Sequence, residues 1–368
     1  MLLNNKNIII SGGGTGGHLF PALAIANELM EIDNSLNILF VGAKGKIEEE
    51  KVPAAGYKIE LLTISGFHRK ISFKNFSVLL KLWKSIRKSK IIIKNFKPAI
   101  VVGVGGYASG PIGYVASKKG IPILLQEQNS FPGVTNKLLS KKANTICVAY
   151  NGTERFFDSN KILMTGNPVR KDILSVTQSK EEALNFFELD SSKKTILILG
   201  GSGGAKTMNE SVIAEIEQII NADIQIIWQT GKFYIDEAKL IAQKYKNKNI
   251  VVTDFISRMD LAYKAADLVL SRAGAGTISE LCLVEKPTIL VPSPNVAEDH
   301  QTKNAMALVE KNAAILIHDK DAKLTLIKTA IELLNNENEL NILSKNIKSL
   351  AVDNSAKKIA QKILDIIK

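Results

Sequence analysis

The residues best suited to chemistry lie in one short loop, Ser11-Gly12-Gly13-Gly14-Thr15-Gly16-Gly17-His18. The loop follows an apolar stretch predicted as a strand, residues 7–10, and precedes a predicted helix that begins at Pro21. Backbone N–H groups and the positive end of a helix meet at such a joint, and both attract an anion. The loop therefore predicts a phosphate cradle with His18, one of four histidines in the chain, at its mouth.

His18 can serve in two ways at this position. The positive end of a helix disfavours an imidazolium, and the neutral imidazole that remains is the form that a general base needs. The same side chain could equally be a hydrogen-bond donor that holds the loop. The residues alone leave both roles open.

The loop also satisfies the dinucleotide pattern G-x-G-x-x-G with Gly12, Gly14 and Gly17. A nicotinamide oxidoreductase needs, in addition, a carboxylate at the end of the second strand to hold a ribose. The second predicted strand, residues 37–41, runs into Gly-Ala-Lys-Gly, and Asp33 precedes it. A dinucleotide cofactor is therefore disfavoured.

Two further glycine loops follow predicted strands. Residues 103–111 include Tyr107, which we expect to be exposed, and a second loop of this kind favours anion binding over a merely tight turn. Residues 200–207 nearly form a P-loop, but Ala205 replaces the required glycine and no magnesium-binding aspartate follows a later strand. A P-loop NTPase is disfavoured.

Polar residues of the second half also follow strands. Residues 271–280 begin a helix whose amides could receive a diphosphate, and Glu280 could either accept two hydrogen bonds from a ribose diol or complement the helix end. Gln301 and Asn304 share a helical face, which suits sugar hydroxyls as well as ordinary solvation of a helix start. The charged Asp319-Lys-Asp321 connector is predicted to be solvated.

Alternating apolar strands and amphipathic helices in both halves predict two doubly wound, Rossmann-like α/β domains that face a cleft, with a boundary near residues 165–175. Ligands then bind outside the carboxyl ends of the strands. The predicted strands are residues 7–10, 37–41, 99–103, 121–126 and 145–148 in the first half, and 195–199, 225–228, 250–253, 268–270 and 288–291 in the second.

Composition indicates a globular protein of the cytoplasm. The 368 residues contain no apolar run of the ~18 residues that a membrane span requires, and the N-terminus has no signal-peptide pattern. Cys147 and Cys282 lie in apolar segments without metal-ligand spacing, which predicts buried, reduced thiols and no metal.

The excess of positive charge lies wholly in the first half, where residues 1–170 hold 23 basic and 10 acidic side chains. Between Glu60 and Glu127 there is no acid, and residues 71–96 interleave apolar and basic side chains. This pattern favours contact with an anionic lipid surface over nucleic acid, because no nucleic-acid-binding motif accompanies it. The residues predicted to dock on lipid are Phe76, Leu79, Lys81, Trp83, Lys84, Arg87 and Lys88.

Together the loops resemble the MurG family of peptidoglycan N-acetylglucosaminyltransferases, which belongs to glycosyltransferase family 28 and the two-domain GT-B class. The resemblance implies transfer of GlcNAc from UDP-GlcNAc to the C4 hydroxyl of lipid I with inversion, giving lipid II for peptidoglycan synthesis, cell shape and cell division. Another UDP-sugar-dependent glycolipid synthase of this fold is the alternative. The shared motifs are Gly12-Gly-Gly-Thr-Gly-Gly-His18, Gly103-x-Gly-Gly-Tyr107, Glu127-Gln-Asn129, Gly166-Asn-Pro-Val-Arg170, Gly200-Gly-Ser202, Gly274 to Glu280 and Glu298-Asp-His-Gln301.

The resemblance also implies roles for individual residues. His18 becomes the expected catalytic base, Glu280 holds the ribose and Ile256 meets uracil through its backbone. No metal or other cofactor is obligatory. The implied donor site comprises Thr15, Gly16, Gly17, Asn129, Arg170, Ser202, Ile256, Ala275, Gly276, Thr277, Glu280, Gln301 and Asn304, and the implied acceptor contacts are Gly14, Gly105, Gly106 and Tyr107.

The chain departs from the family pattern at three positions. Gln126 stands where the family often has histidine, and Gly203 where it often has glutamine. His300 replaces a glutamine of some members. These departures weaken the expected contacts near each position.

The expected domains are residues 1–168, for the acceptor and membrane docking, and residues 169–368, for UDP-GlcNAc, with the last helix (about 355–367) packing back on the first. We expect a peripheral protein on the cytoplasmic face of the cell membrane. Its expected partners are UDP-GlcNAc, undecaprenyl-linked lipid I, anionic phospholipid of the inner leaflet and other cell-wall synthesis proteins.

Overall fold

The computed structural model describes residues 6–65, 74–201, 203–245, 249–296 and 299–368, with the backbone alone for 74–77. The chain divides into two compact units. The first contains Met1–Arg170 and Asp353–Lys368, and the second contains Lys171–Val352. The last helix thus belongs to the first unit, although the second unit precedes it in sequence.

The first unit alternates strands and helices, with two short 3₁₀ turns at Thr153–Arg155 and Ser159–Lys161. Its strands are β1 (Asn7–Ser11), β2 (Asn37–Ala43), β3 (Lys58–Leu62), β4 (Ile100–Gly103), β5 (Ile123–Glu127), β6 (Thr145–Val148) and β7 (Ile162–Met164). Its helices up to the boundary are α1 (Gly16–Ile32), α2 (Glu48–Ala54), α3 (Lys74–Phe96), α4 (Ser109–Lys118) and α5 (Val134–Ser140).

The second unit repeats the alternation. Its strands are β8 (Thr195–Leu199), β9 (Gln225–Gln229), β10 (Ile250–Thr253), β11 (Leu268–Ser271), β12 (Thr288–Leu290) and β13 (Ile315–Leu316). Its helices are α6 (Lys171–Leu174), α7 (Lys180–Phe186), α8 (Lys206–Ala214), α9 (Ile216–Asn221), α10 (Ile235–Lys244), α11 (Met259–Ala265), α12 (Ala275–Leu283), α13 (His300–Val309), α14 (Asp319–Leu334) and α15 (Glu337–Ser349). Helix α16 (Ser355–Ile367) then returns to the first unit.

Both sheets are parallel throughout the described part of the chain and share one strand order. The first runs β3-β2-β1-β4-β5-β6-β7 and the second β10-β9-β8-β11-β12-β13. The order reverses direction between β1 and β4, and again between β8 and β11. These are the switch points at which doubly wound sheets bind ligands. The prediction of two doubly wound α/β domains is confirmed.

Three edge strands, β3, β7 and β13, are absent from the sequence prediction. Apart from the buried Leu62 of β3, their residues are exposed or half-buried, whereas every residue of β4, β5, β6 and β8 is buried. A strand covered on both faces reads as a continuous apolar run, and an edge strand lacks that signal. All ten predicted strands occur, with small shifts of their ends; nine of them are inner strands and β10 is an edge strand.

The core of the first unit shows why α16 belongs to it. Ile8 and Ile10 of β1 face one side of the sheet, where Ile359 and Ile363 of α16 pack beside α1. Ile9 faces the opposite side, in the cluster that includes residues of α4 and α5. Each fully buried isoleucine is worth ~1.5–3 kcal/mol, so α16 contributes substantially to the stability of this unit.

Two further observations concern the cysteines and the lengths and hydropathy of the helices. Burial raises the pKa of Cys147 and of Cys282 to about 12, so both thiols stay protonated at neutral pH. Among the described residues, no helix is both long enough and apolar enough to cross a membrane.

Lys286 gives a prediction for stability. Burial lowers the pKa of its ammonium from 10.5 to about 8, while its Nζ donates to the Ala266 carbonyl at 2.7 Å. Between these two pKa values the unfolded chain binds more protons, so the free energy of unfolding rises as the pH increases from about 8 to 10.5, by at most about 3 kcal/mol.

Urea unfolding at several pH values measures this rise. Lys286→Met removes the titrating group, and we expect its curve to lie flatter than that of the original chain across the same window. Equal slopes for the two proteins would contradict the assignment to Lys286.

Candidate functional site

The helices that start at the switch points share one property. Helices α1, α4, α8 and α12 follow β1, β4, β8 and β11, and each starts without a side-chain cap and without an acidic residue in its first turn. Helices α7, α10, α14 and α15 carry acids in their first turns, whereas α5, α13 and α16 lack both features as well. The first turns of these four helices thus carry no acid of their own, which leaves their N–H groups suited to phosphate groups, although the Glu48 carboxylate of α2 lies at the loop before α1.

The first loop joins β1 to α1, and a buried carboxylate holds its base. Glu48 is fully buried and accepts hydrogen bonds from the Gly14 N–H at 2.8 Å and from the Ala43 N–H at 2.9 Å. The Gly14 N–H is therefore already engaged. A Cβ on Gly13 would lie 2.3 Å from the Glu48 carboxylate, which explains that glycine. Sequence analysis missed Glu48, because it stands in a run of three glutamates that reads as a helix start.

The helix begins at Gly16, five residues before the predicted start at Pro21. Thr15 is the exposed N-cap residue, and His18 lies in the first turn. His18 Nδ1 lies 3.0 Å from the Gln128 Oε1 atom. This tertiary contact between His18 and Gln128 stabilises the first turn of α1, which the low helix propensity of glycine disfavours.

The second glycine loop packs directly on the first. Gly105 has φ +94°, and a Cβ there would meet His18 Nδ1 at 2.7 Å. Gly106 has φ +82°, and a Cβ there would meet the Gly13 carbonyl oxygen at 2.4 Å. Both residues therefore have a packing reason to be glycine. Tyr107 is 57% exposed, as predicted.

Asn129 follows the neighbouring strand β5, and Glu127 positions it. Glu127 is 1% exposed, and its Oε1 accepts from the Asn129 backbone N–H at 3.0 Å and from Asn129 Nδ2 at 3.2 Å. Its Oε2 accepts from the Gly133 N–H and from Asn136 Nδ2. At the end of the unit, the Arg170 guanidinium lies 5.1 Å from the ring centre of Phe20.

The first unit therefore gathers the implied residues on the carboxyl ends of three adjacent strands. β1 carries the loop with Thr15 to His18, β4 carries Gly105 to Tyr107, and β5 carries Asn129.

In the second unit, Glu280 lies in α12 and is oriented by a residue that sequence analysis missed. Tyr263 of α11 is 1% exposed, and its hydroxyl donates to Glu280 Oε2 at 2.9 Å. Ala275, Gly276 and Thr277 form the first turn of the same helix. The carboxylate and the open helix start therefore belong to one element.

Ile256, Gln301 and Asn304 are each engaged within the second unit. The Ile256 N–H donates to Gln229 Oε1 at 3.2 Å. Gln301 Oε1 accepts from the Ser293 N–H at 2.8 Å, which orients its amide. Asn304 shares α13 with Gln301 but is fully buried, and its Nδ2 lies 3.4 Å from the Ala273 carbonyl.

The prediction that Asp319 is solvated is wrong. Arg272 forms an ion pair with Asp319, and the Thr207 hydroxyl donates to the same carboxylate at 2.9 Å. Arg272 also donates to the Val291 and Pro292 carbonyls. This network ties α14 to the loop after β11, a link between distant segments that local spacing does not reveal. Ser202 lies outside the described residues.

Asp33, the carboxylate that comes nearest to the position a dinucleotide ribose would need, lies away from the glycine loops. Asp33 lies before β2, at the strand end opposite the glycine loops, where it accepts from Ser35 and pairs with Lys6. Hydrogen bonds from Ser35 lower the pKa of this carboxyl. No group of three or more His, Cys, Asp or Glu side chains that could hold a metal ion occurs among the residues described.

Comparison with known proteins places these features in a family. Residues 8–148 match the N-terminal domain of glycosyltransferase family 28, and residues 195–363 match its C-terminal domain. A Parabacteroides distasonis protein named UDP-N-acetylglucosamine–N-acetylmuramyl-(pentapeptide) pyrophosphoryl-undecaprenol N-acetylglucosamine transferase is 54% identical over 99% of both chains. A Phocaeicola vulgatus protein of the same name is 57% identical over 98% of this chain and 96% of its own.

Solved structures agree with this placement. The crystal structure of Acinetobacter baumannii MurG is 28% identical, with a TM-score of 0.73 over 98% of this chain and 99% of that one. The calicheamicin glycosyltransferase CalG4 is 14% identical with a TM-score of 0.69 over 99% of this chain and 98% of that one, and shares the fold.

The two doubly wound units, the match to both family 28 domains and the similarity to MurG show a glycosyltransferase of the GT-B class. The chain belongs to glycosyltransferase family 28 and, within it, to the MurG family of N-acetylglucosamine transferases.

Proposed function

We propose that this chain transfers GlcNAc from UDP-GlcNAc to the C4 hydroxyl of the MurNAc of lipid I, forming lipid II for peptidoglycan synthesis. The observation that carries the proposal is identity above 50%, over nearly the whole length, to proteins named for this transfer. The helix starts at both switch points, which have no side-chain cap and no acid in their first turns, supply the anion sites that two diphosphate substrates require.

The second unit binds the donor. Glu280, held by the Tyr263 hydroxyl, accepts both hydroxyls of the uridine ribose in charge-assisted hydrogen bonds. The first turn of α12, Ala275 to Thr277, receives the diphosphate, and we expect Ser202 to contact the nucleotide. The Ile256 N–H is already bonded, so its carbonyl oxygen is the group that meets uracil. Gln301 and Asn304 order the sugar-binding loop.

The first unit binds the acceptor and removes its proton. The starts of α1 and α4, with Tyr107, face the acceptor diphosphate, while Thr15 and Asn129 position the donor sugar. His18 takes the proton of the C4 hydroxyl as the new bond to the anomeric carbon forms. The bond from that carbon to the diphosphate oxygen breaks on the opposite face, and UDP leaves with the electron pair. Arg170 and the helix ends stabilise its charge. No metal or other cofactor is required.

A coupled assay tests this function. With purified protein, UDP should be released only when UDP-GlcNAc and lipid I are both present, and the lipid product should gain the mass of one GlcNAc. Binding of NADPH in place of UDP-GlcNAc would refute the proposal. Release of UDP with a different lipid-linked acceptor, but not with lipid I, would point to another glycolipid synthase.

We also propose that the face formed by α3, α4 and α5 docks on the anionic inner leaflet, which places the protein at the cytoplasmic side of the membrane. On α3, Leu79 and Trp83 are 53% and 54% exposed, and Arg87 stacks 4.7 Å from the Trp83 ring. On α5, Val134 and Leu138 are both 73% exposed, and sequence analysis missed them.

Two predicted docking residues serve other contacts. Lys88 pairs with Glu60 at 2.8 Å and donates to the Leu61 carbonyl, so it is engaged with β3. Lys81 is partly buried and lies 3.5 Å from the Ser65 hydroxyl. The side chain of Phe76 lies outside the described residues. Lys84 and Arg87 are the exposed cations of α3 that are best placed for lipid.

Reversing both charges, Lys84→Glu with Arg87→Glu, should weaken binding to phosphatidylglycerol vesicles by more than about tenfold, because each basic residue near such a surface is worth about 1 kcal/mol. Affinity for UDP should not change. Vesicle sedimentation measures the effect, and Lys320→Glu with Lys323→Glu, at exposed positions of α14, is a control of equal charge. Equal losses in both variants would show net charge alone to be responsible.

A further inference from the structure

Three buried amide side chains lie behind His18. Gln126, Gln128 and Asn167 are each at most 2% exposed. Gln128 Nε2 donates to the Val104 carbonyl at 2.8 Å and to Gln126 Oε1. Gln126 Nε2 donates to Asn167 Oδ1 at 3.1 Å, and Asn167 Nδ2 donates to the Gln128 carbonyl at 3.1 Å. We call these three side chains the amide relay.

Backbone carbonyls at both ends of the amide relay fix the direction of every amide in it. The Val104 and Gln128 carbonyl oxygens can only accept, so the NH₂ groups of Gln128 and Asn167 must face them. Gln126 fits between only with its oxygen toward Gln128 and its NH₂ toward Asn167. Turning any one amide over would place two acceptors, or two donors, against each other in a buried site, which costs on the order of 1–3 kcal/mol. The Gln128 Oε1 atom is therefore directed at His18.

This direction decides where the proton of a neutral His18 resides. The Gln128 oxygen has no hydrogen to give, so at 3.0 Å the His18 Nδ1 atom must carry the hydrogen. The lone pair then lies on Nε2, for which no hydrogen-bond partner occurs among the described residues. The absence of a side chain at Gly105 makes room for the imidazole ring of His18, because a Cβ there would lie within 2.8 Å of both its Nδ1 and its Cε1.

We propose that Gln128 is a positioning residue that holds neutral His18 in the Nδ1–H tautomer and so presents the Nε2 lone pair to the acceptor hydroxyl. This inference rests on the proposed role of His18 as the base. An amide fixes the tautomer without adding a charge, whereas a carboxylate in its place would favour the imidazolium, which cannot take a proton. The buried carboxylates of these loops, Glu48 and Glu127, bond to N–H groups of Gly14, Ala43, Asn129, Gly133 and Asn136.

The amide relay also explains why an amide side chain suits position 126. Gln126 occupies the middle of the amide relay, where one oxygen and one NH₂ are needed on the same side chain. A primary amide meets that need in a single orientation.

Nitrogen NMR of the full chain labelled with ¹⁵N-histidine tests the tautomer directly, without any substrate. Only four histidines give signals, and loss of one set in His18→Gln assigns it. Above neutral pH we expect His18 to show a protonated Nδ1 and a bare Nε2. Gln128→Met keeps the side-chain length but cannot accept, and should convert His18 to the other tautomer or to a mixture. Gln225→Met removes a fully buried amide of the second unit and should leave His18 unchanged.

The kinetics of Gln128 variants then distinguish a positioning role of this residue from a purely structural one. Gln128→Met should lower kcat by about tenfold or more, but by no more than the ~10²–10⁴-fold that loss of a general base costs, with the KM for UDP-GlcNAc unchanged. Gln128→Glu can still accept from Nδ1, so it should keep the tautomer while moving the acid limb of the pH–rate profile to higher pH.

Two results would overturn the inference. A bare Nδ1 in the unmodified protein would exclude the tautomer. A tautomer that changes in Gln128→Met with no change in kcat would exclude the positioning role. Neither result contradicts the proposed transfer reaction. An active His18→Ala variant would instead show that His18 is not the base, and it would leave the hydrogen bonds of the amide relay unchanged.

Discussion

His18→Ala should lower the turnover number by about 10³-fold, because removal of a general base typically costs 10²–10⁴-fold. The dissociation constant for UDP-GlcNAc should change little, since the proposed nucleotide contacts of Glu280 and Ile256 lie on other elements, in the second unit. Steady-state kinetics with lipid I, together with calorimetric titration of UDP-GlcNAc, measures the two quantities separately.

Two variants sharpen this test. His18→Gln retains a polar side chain but no base, so it should be as slow as the alanine variant. His318→Ala removes an exposed histidine before α14 and should leave turnover unchanged. A loss of donor affinity in His18→Ala as large as that in Glu280→Ala would contradict the assignment of His18 as the base.

Glu280→Ala should weaken binding of UDP-GlcNAc by about 100-fold or more, because the carboxylate accepts two hydroxyls and hydrogen bonds to a charged group are each worth about 1.5–3 kcal/mol. Turnover at saturating donor should fall much less than in His18→Ala. Titration with UDP alone isolates the nucleotide part of the loss. Tyr263→Phe keeps the carboxylate but removes the hydroxyl that orients it, so a smaller loss in the same direction is expected.

The competing role for Glu280 is stabilisation of α12 through the helix dipole, an effect of only about 0.3–1 kcal/mol. That role predicts a lower melting temperature with unchanged UDP affinity. Glu332→Ala, at an exposed acid of α14, is the matched control for loss of one negative charge. A Glu280→Ala protein that binds UDP normally would exclude the ribose contact.

Much of the architecture followed from pattern alone. The inner strands were predictable because both faces of a parallel sheet are covered, which leaves continuous apolar runs such as residues 195–199. The glycine loops were predictable because only glycine tolerates the positive φ of Gly105 and Gly106 where two loops touch. The edge strands β3, β7 and β13 escaped prediction, since their sequences carry no comparable apolar run.

The residues that support the site were harder to foresee. Glu48, Gln128, Tyr263 and Asp319 each act on a loop that is distant in sequence, so no local spacing marks them. Asp319 appeared solvated because its neighbours are charged, yet Arg272 and Thr207 reach it from other segments.

The sequence by itself determined the two parallel units, the strand-end loops, the basic first half and the family to which the chain belongs, because periodicity, glycine positions and charge are local properties of a chain. Only the tertiary structure decided that α16 completes the first core, that Glu48 holds the first loop and that the amide relay directs Gln128 toward His18. Burial leaves each polar atom only the partners that the fold brings within about 3 Å, and those partners come from distant segments.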